Sequence, residues 1–171
     1  MTLANKITIF RILLVPGIVV LLAADLNLAA FAAFLSALLT DWLDGTIARK
    51  RNEVSTLGQA LDPVADKMLF LFVFGYFGIS GRIPLEAFLL MMIPSLFLLL
   101  GGLLFYKKEG IVIEAKSLGK ISTLILSFGL SLVFLRIKFA VWVLYGGIAT
   151  SYLAAIHYVF LASRLTGAEK N

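Results

Sequence analysis

The sequence predicts an all-α protein, an integral membrane bundle of six transmembrane helices. Of its 171 residues, 61% are hydrophobic and 15% are charged, against about 45–50% and about 25% in an ordinary soluble domain. The apolar residues form runs close to the ~20 residues that a helix needs to cross a bilayer. The runs are continuous rather than alternating, and a chain in lipid must satisfy its own backbone hydrogen bonds, which favours helices.

Six apolar segments can be traced, and they occupy nearly the whole chain, so residues 1–171 are expected to form a single membrane domain. Lys6 precedes the first segment and Arg11 lies within it, a pattern that resembles the basic and apolar parts of a signal peptide. Neither a clear small-residue cleavage site nor a polar mature chain follows this segment. We therefore interpret it as a lasting helix. The predicted spans are 7–24, 28–49, 57–80, 83–105, 117–135 and 139–162.

The distribution of cations predicts the orientation of this bundle. With six spans, both termini lie on the same side, and that side receives every Lys and Arg except Arg82, Arg136 and Lys138. Cytoplasmic loops of membrane proteins carry the excess of Lys and Arg. We expect both termini to be cytoplasmic, in the cytoplasmic (inner) membrane of the cell.

Charge and cysteine content narrow the classes of partner. The net charge of +5 suits an anionic lipid surface or phosphorylated substrates. Nucleic-acid binding would need a basic domain outside the membrane, and the chain has no room for one. The absence of cysteine excludes disulfides and thiolate metal sites.

Two pairs of adjacent glycines interrupt the apolar runs. Gly101-Gly102 lies in the fourth predicted span and Gly146-Gly147 in the sixth. Small residues let the backbones of membrane helices approach closely. We expect both pairs to be helix-packing points.

Four aspartates break the apolar pattern where the second span ends and the third begins. Asp41 and Asp44 share one face of the second helix, and Asp62 and Asp66 share one face of the third, at about 100° per residue. A charged carboxylate at membrane depth costs about 3 kcal/mol even on lenient scales. The short link makes the two helices antiparallel neighbours, so the acidic faces can converge.

Convergence of four carboxylates requires cations among them, since they cannot all remain ionised in one cleft otherwise. An all-oxygen ligand set suits Mg²⁺ or Mn²⁺, and four carboxylates could hold two ions. Helix capping or interfacial snorkelling would account for one such aspartate, with Asp62-Pro63 as the clearest case, but not for all four.

The residues around the acids favour a pyrophosphate ligand. Gly45 and Ala48 lie on the face of the first pair, and Gly58 lies on the face of the second pair. Their small side chains leave an open floor where a bulky group can approach the backbone. Arg49, at the end of the same face, supplies hydrogen-bond donors for phosphate.

This pattern resembles the signature of the CDP-alcohol phosphatidyltransferases, D-x-x-D-G-x-x-A-R-x8-G-x3-D-x3-D. The chain matches every fixed position, from Asp41 to Asp66. The resemblance implies that Asp41, Asp44 and Asp62 bind the metals, with Asp66 as a further ligand and the catalytic general base. It also implies that the cytidine diphosphate part of CDP-diacylglycerol, the donor, is held by Asp41, Gly45, Ala48, Arg49 and Gly58.

Three further segments are similar to the phosphatidylglycerophosphate synthases and the related cardiolipin-synthase type. They are Asn5-Lys-Ile-Thr8-Ile-Phe-Arg11, Ala60-Leu-Asp62-Pro-Val-Ala-Asp66-Lys67 and Gly119-Lys120-Ile-Ser-Thr123. The similarity implies glycerol 3-phosphate as acceptor alcohol, whose phosphate needs a second cationic site. The residues proposed for acceptor binding are Asn5, Thr8, Arg11, Lys67, Lys116 and Lys120.

The chain departs from these relatives in the fourth span. Many of them carry an Arg followed by an acidic residue, where this chain has Met92-Ile93-Pro94-Ser95. If that arginine binds the acceptor phosphate in those relatives, this chain must either bind the phosphate with another residue or use another acceptor. Phosphatidylglycerol, a lipid alcohol that would give cardiolipin, is therefore the alternative acceptor.

Two other expectations concern assembly and class. The resemblance implies a homodimer, whose apolar outer faces would meet the other subunit or the membrane lipids. A cation transporter that uses the acidic cleft is the alternative from a different class. It should carry polar residues along a route to both membrane faces, whereas these acids cluster near one end of two helices.

Overall fold

The chain folds into six α-helices in a computed structural model. The structure describes the backbone of residues 3–51, 56–109 and 116–168, and the side chains of residues 9–40, 65, 67–101 and 118–163. Along these residues there is no strand, which confirms the all-α prediction. The helices are α1 (Leu3–Ala23), α2 (Asn27–Arg51), α3 (Thr56–Ile79), α4 (Leu85–Glu109), α5 (Lys116–Phe134) and α6 (Ala140–Ala168).

The helices differ from the predicted spans mainly at their ends. Most ends fall within two residues of the prediction, but α1 begins at Leu3 rather than residue 7, and α4 and α6 continue to Glu109 and Ala168. The sequence analysis ended each span where the apolar run ended. A helix can continue past that point, because polar and charged side chains in its last turns reach water.

Only part of the membrane prediction is tested by this fold. Among the residues described, one helical stretch, Ala140–Ser163, is long and apolar enough to cross a membrane, a criterion that the core helix of a soluble protein also meets. The apolar stretches of the other five helices are shorter there, for example Leu85–Gly101 in α4. Six helices are confirmed, whereas six membrane crossings and the orientation stay predictions.

The chain divides into two compact units, Met1–Ile79 and Ser80–Asn171. In the first unit, α1 packs against both α2 and α3. The buried side chains of α1 follow helical spacing, with Val15, Ile18 and Leu22 at 1% exposure or less. The Tyr76 hydroxyl of α3 donates a hydrogen bond of 2.9 Å to the backbone carbonyl of Leu22. This bond fixes the height of α1 relative to α3.

In the second unit, α6 packs against α5 and α4. Two glycines permit the close approach of α5 and α6. A Cβ added at Gly129 would lie 2.6 Å from Leu144 Cδ2, and one added at Gly147 would lie 2.8 Å from Leu126 Cδ2 and 3.1 Å from the Leu126 backbone nitrogen. A side chain at either position would therefore force the two helices apart.

The glycine predictions are confirmed for one member of each pair. Gly101 lies under the ring of Tyr158, where an added Cβ would be 3.2 Å from Cε1, and Gly147 contacts α5 as described above. Gly146 faces open space, with nothing within 4 Å of an added Cβ. Adjacent residues of a helix point about 100° apart, so the two glycines of a pair cannot both face the same neighbouring helix. Gly102 lies outside the residues whose surroundings are described.

The described serine and threonine hydroxyls of α5 and α6 donate to carbonyls of their own helices. Ser127 donates to the Thr123 carbonyl at 2.7 Å, Ser131 donates to the Ser127 carbonyl at 2.9 Å, and Ser151 donates to the Gly147 carbonyl at 2.9 Å. This back-bonding lets a hydroxyl enter an apolar environment without an unpaired donor. The serine and threonine side chains of these helices are therefore compatible with lipid on the outer face.

Adjacent glycines give a direct test of the α5–α6 packing. We expect Gly147→Ala to lower the free energy of unfolding by about 1–3 kcal/mol, because the added methyl overpacks against the Leu126 backbone. Gly146→Ala is the matched control and should be neutral or stabilising by up to about 1 kcal/mol, since alanine favours the helix. Thermal unfolding in a neutral detergent would measure both. Equal destabilisation by the two substitutions would contradict the described packing.

Candidate active site

The two halves of the acidic motif lie on different helices of the first unit. Asp41, Asp44, Gly45, Ala48 and Arg49 belong to α2, and Gly58, Asp62 and Asp66 belong to α3. The helical backbone predicted for both halves is therefore confirmed. The side chains of these eight residues lie outside those that the structure describes, so their predicted convergence and ligand roles remain predictions.

The buried face of α2 indicates where its motif residues are placed. Ala30, Phe34 and Ala37 are fully buried and follow the spacing of one helix face. The next positions on this face are 41, 44 and 48. The acidic half-motif of α2 thus continues the register of the face that packs into the first unit.

The same relation holds for α3. Ala65, Leu69 and Val73 are buried at 2% exposure or less, and the positions that precede them in the same helical register are 58 and 62. Position 66 is adjacent to Ala65 and one turn before Leu69 and Phe70, which are also buried. Both half-motifs therefore extend inward-facing registers toward the ends of α2 and α3 that are joined by residues 52–55.

Arg11 is the one charged side chain that is fully buried among the residues described, at 0% exposure. It lies on the same α1 face as Val15, Ile18 and Leu22. A charged side chain is almost never fully buried in a protein unless other groups compensate it. Simple anchoring of Arg11 at the membrane surface, the alternative to a role in substrate binding, does not fit this burial.

The height of Arg11 follows from the contacts of α1. Arg11 precedes Leu22 by eleven residues, or about 16 Å at 1.5 Å per residue. Because α1 and α3 run parallel and Tyr76 bonds to Leu22, the same distance along α3 leads from Tyr76 to Ala65, the residue before Asp66. On antiparallel α2, it leads to residues 39 and 40, directly before Asp41. Arg11 is thus within about one turn of the level of both half-motifs.

The other proposed acceptor residues are less completely described. Lys67 is half-buried on α3, and Lys120 is exposed on α5. The side chains of Asn5, Thr8 and Lys116 lie outside the described residues. Next to Lys120, Gly119 has open space around an added Cβ, and its carbonyl accepts hydrogen bonds from Ser122 at 2.8 Å and Thr123 at 3.0 Å.

The fourth span has no charged pair in Met92–Ser95, the segment where the family resemblance predicts one. Pro94 is a buried residue within α4, and the Ser95 hydroxyl lies 3.2 Å from the Met91 sulfur. The polar atom of Ser95 is therefore directed along its own helix. The structure offers no cation in the Met92–Ser95 segment to replace the missing arginine.

The described side chains include no group of three or more possible metal ligands. The four aspartates are not among those side chains, so the metal site stays a prediction.

Tyr76 is the residue that the sequence analysis missed. Its only signal was a hydroxyl in an otherwise aromatic and aliphatic run of α3, and its partner is a backbone carbonyl, which no sequence motif marks.

Comparison with known proteins identifies a family. The model of the CDP-alcohol phosphatidyltransferase family matches residues 1–153. A Bacillus subtilis protein named CDP-diacylglycerol–glycerol-3-phosphate 3-phosphatidyltransferase is 34% identical over 140 residues, which cover 71% of this chain and 70% of that protein. An Aquifex aeolicus protein of the same name is 32% identical over 133 residues, 76% of this chain and 74% of that protein.

A second group of relatives carries another name. A Mycobacterium tuberculosis protein provisionally named cardiolipin synthase is 38% identical over 85 residues. Those residues cover 49% of this chain, and the chain spans 41% of the length of that relative. The stronger local identity and the smaller coverage together indicate that the similarity is concentrated in one part of the chain.

The burial of Arg11 generates a stability prediction. We expect Arg11→Gln to lower the free energy of unfolding by about 1–3 kcal/mol, because the smaller side chain leaves unfilled space at a fully buried position. Lys120→Gln removes a charge of the same sign at an exposed position and should change stability by no more than about 0.5 kcal/mol. Denaturation in neutral detergent would measure both. Equal effects of the two substitutions would contradict the burial of Arg11.

Proposed function

Because the chain belongs to the CDP-alcohol phosphatidyltransferase family, we propose that it transfers a phosphatidyl group from CDP-diacylglycerol to an acceptor alcohol and releases CMP. The observation that carries this proposal is the complete eight-position motif, divided between α2 and α3, with all four aspartates on registers that continue buried faces. The match of the family model to residues 1–153 supports it. A transporter explains neither the glycines and arginine of the motif nor the family match.

The donor set of the motif fits divalent cations. We assign Asp41, Asp44, Asp62 and Asp66 as ligands, because carboxylate oxygens are what Mg²⁺ and Mn²⁺ prefer. Carboxylates that extend an inward-facing register need positive charge nearby. One buried arginine at that level cannot offset four of them. Bound at these residues, two ions would neutralise the pyrophosphate and stabilise charge on departing CMP.

The remaining motif residues are proposed to position the donor and move one proton. Gly45, Ala48 and Gly58 would leave room for the cytidine diphosphate group, and Arg49 would donate hydrogen bonds to its phosphates. Asp66 would accept the proton of the acceptor hydroxyl as that oxygen attacks the phosphorus that carries diacylglycerol. The bond from this phosphorus to the CMP oxygen breaks, and the products are a phospholipid and CMP.

We propose glycerol 3-phosphate as the acceptor, which gives phosphatidylglycerophosphate. Two relatives that align over more than two thirds of their own length carry glycerol 3-phosphate in their names. Arg11 is a buried cation near the level of Asp66 and is suited to a phosphate ligand. The other residues assigned to acceptor binding are Asn5, Thr8, Lys67, Lys116 and Lys120.

Phosphatidylglycerol is the second candidate acceptor, and two observations favour it. The mycobacterial relatives are named for cardiolipin synthesis, and the segment Met92–Ser95 lacks the charged pair of many glycerol 3-phosphate enzymes. A lipid acceptor with a phosphodiester and no terminal phosphate would need less positive charge. The two acceptors would leave different products from the same donor.

We further propose that all six helices cross the cytoplasmic membrane, with both termini and the active site on the cytoplasmic side. The excess of Lys and Arg in the links on that side supports the orientation. Large apolar side chains that are two-thirds or more exposed support contact with lipid or with a second copy in a homodimer. They include Leu13, Leu28, Ile79, Leu124 and Trp142.

The proton-transfer role of Asp66 gives the test of the reaction class. We expect release of CMP from CDP-diacylglycerol to require Mg²⁺ or Mn²⁺ and to fall at least about 100-fold in Asp66→Asn, because a positioned general base contributes about 10²–10⁴. Asp25→Asn is the matched control, since Asp25 lies in the α1–α2 turn and asparagine tolerates its left-handed backbone equally well.

Quantification of CMP by chromatography measures both variants in mixed micelles. Metal-independent release, or an equal loss in Asp25→Asn, would contradict the proposed site. Absence of CMP from the unsubstituted protein with every acceptor offered would overturn the reaction class.

A further inference from the structure

A cavity of about 420 Å³ lies in the second unit, where α5 ends and α4 and α6 begin. Three basic residues line it, Arg82 before α4 and Arg136 and Lys138 in the α5–α6 turn. They are the three cations that the orientation rule leaves on the side opposite the termini. Glu86, the one acid with a described side chain in this unit, is not among the lining residues. The cavity is therefore a concentration of positive charge.

Arg136 has a backbone conformation that calls for an explanation. Its φ is +55°, and the backbone hydrogen bonds from Arg136 N to Val133 O and from Ile137 N to Leu132 O, each 3.0 Å, form the helix-terminating motif in which this position is usually glycine. The other two left-handed residues in the described chain are Asp25 and Gly81, both types that tolerate the conformation. Arginine adopts this conformation at an energetic cost that glycine avoids, so Arg136 is an unexpected residue at this edge of the cavity.

The rest of the cavity is apolar. Val133, Ile137 and Val141 line it beside the cations. Phe139 and Trp142, in the same turn and first turn of α6, are 56% and 76% exposed. Tryptophan is enriched at the level of lipid head groups, where its ring meets both apolar chains and polar groups. A ligand for this place must combine negative charge with a hydrophobic part.

We propose that this cavity binds the head group of an anionic phospholipid, with the phosphodiester between Arg136 and Lys138 and the acyl chains along Phe139 and Trp142. Arginine and lysine bind the oxygens of such a phosphodiester through charge-assisted hydrogen bonds. A free phosphate would use the cations but not the exposed aromatic rings. The proposal rests on the membrane placement proposed above and not on the transfer reaction.

Trp142 provides a local reporter of occupancy. The chain has one other tryptophan, Trp42, and a Trp42→Phe background leaves Trp142 as the sole fluorophore. Reconstitution with phosphatidylglycerol or phosphatidylcholine carrying brominated acyl chains would measure, by quenching, the relative affinity of each lipid for the site. We expect phosphatidylglycerol to be preferred roughly 10-fold or more, since each of the two turn cations placed beside the phosphodiester contributes roughly 5-fold.

Replacement of the two turn cations should remove the preference. In Arg136→Gly with Lys138→Gln, we expect both lipids to quench equally, and glycine retains the left-handed turn. Arg136→Ala with Lys138→Gln should give the same result, which separates loss of charge from relief of the backbone. Lys107→Gln, a cation assigned to the other side, is the matched control and should leave the preference unchanged.

Several outcomes would overturn the proposal. They are equal quenching by the two lipids in the unsubstituted background, a preference that survives both double substitutions, and a loss confined to one of them. Inorganic phosphate, added at ionic strength matched with chloride, should not reverse the preference. Reversal would assign the cavity to a soluble anion instead. CMP release is not part of this measurement, so failure here leaves the reaction proposal untouched.

Discussion

A single hydrogen bond, from the Tyr76 hydroxyl to the Leu22 carbonyl, fixes the relative height of the parallel helices α1 and α3. The tight α1–α2 turn does the same for the antiparallel pair, with Asp25 in a left-handed conformation and Leu26 N bonded to Leu21 O at 2.9 Å. These two constraints bring buried Arg11 within about one turn of both acidic half-motifs. The proposed active site depends on this register, because an arginine several turns farther away would reach neither the carboxylates nor a phosphate among them.

Much of the fold could be predicted from the sequence because its signals are local. Continuous apolar runs locate six helices, and the 3.6-residue period alone places Asp41 and Asp44 on one face and Asp62 and Asp66 on another. The buried positions of α2 and α3 lead into those faces with the expected spacing. Composition could not predict where helices end, since α4 and α6 continue through polar residues after their apolar runs stop.

The features that were missed depend on which neighbour a residue meets. Gly146 and Gly147 are equivalent in sequence, yet only Gly147 faces α5. From its position in the first span Arg11 could be an interfacial anchor or a buried group, and only the packing of α1 shows that it is buried. The left-handed conformation of Arg136 arises where a helix must end against a turn, and the sequence gives no sign of it because arginine is an unexpected residue there.

Identification of the lipid product is the decisive test of whether this protein transfers a phosphatidyl group to glycerol 3-phosphate. The purified protein would receive CDP-diacylglycerol and Mg²⁺ in mixed micelles, with either glycerol 3-phosphate or phosphatidylglycerol as acceptor, and mass spectrometry would identify the lipid formed. We predict that phosphatidylglycerophosphate forms in an amount equal to the CMP released. Formation of cardiolipin from phosphatidylglycerol, with no product from glycerol 3-phosphate, would contradict it.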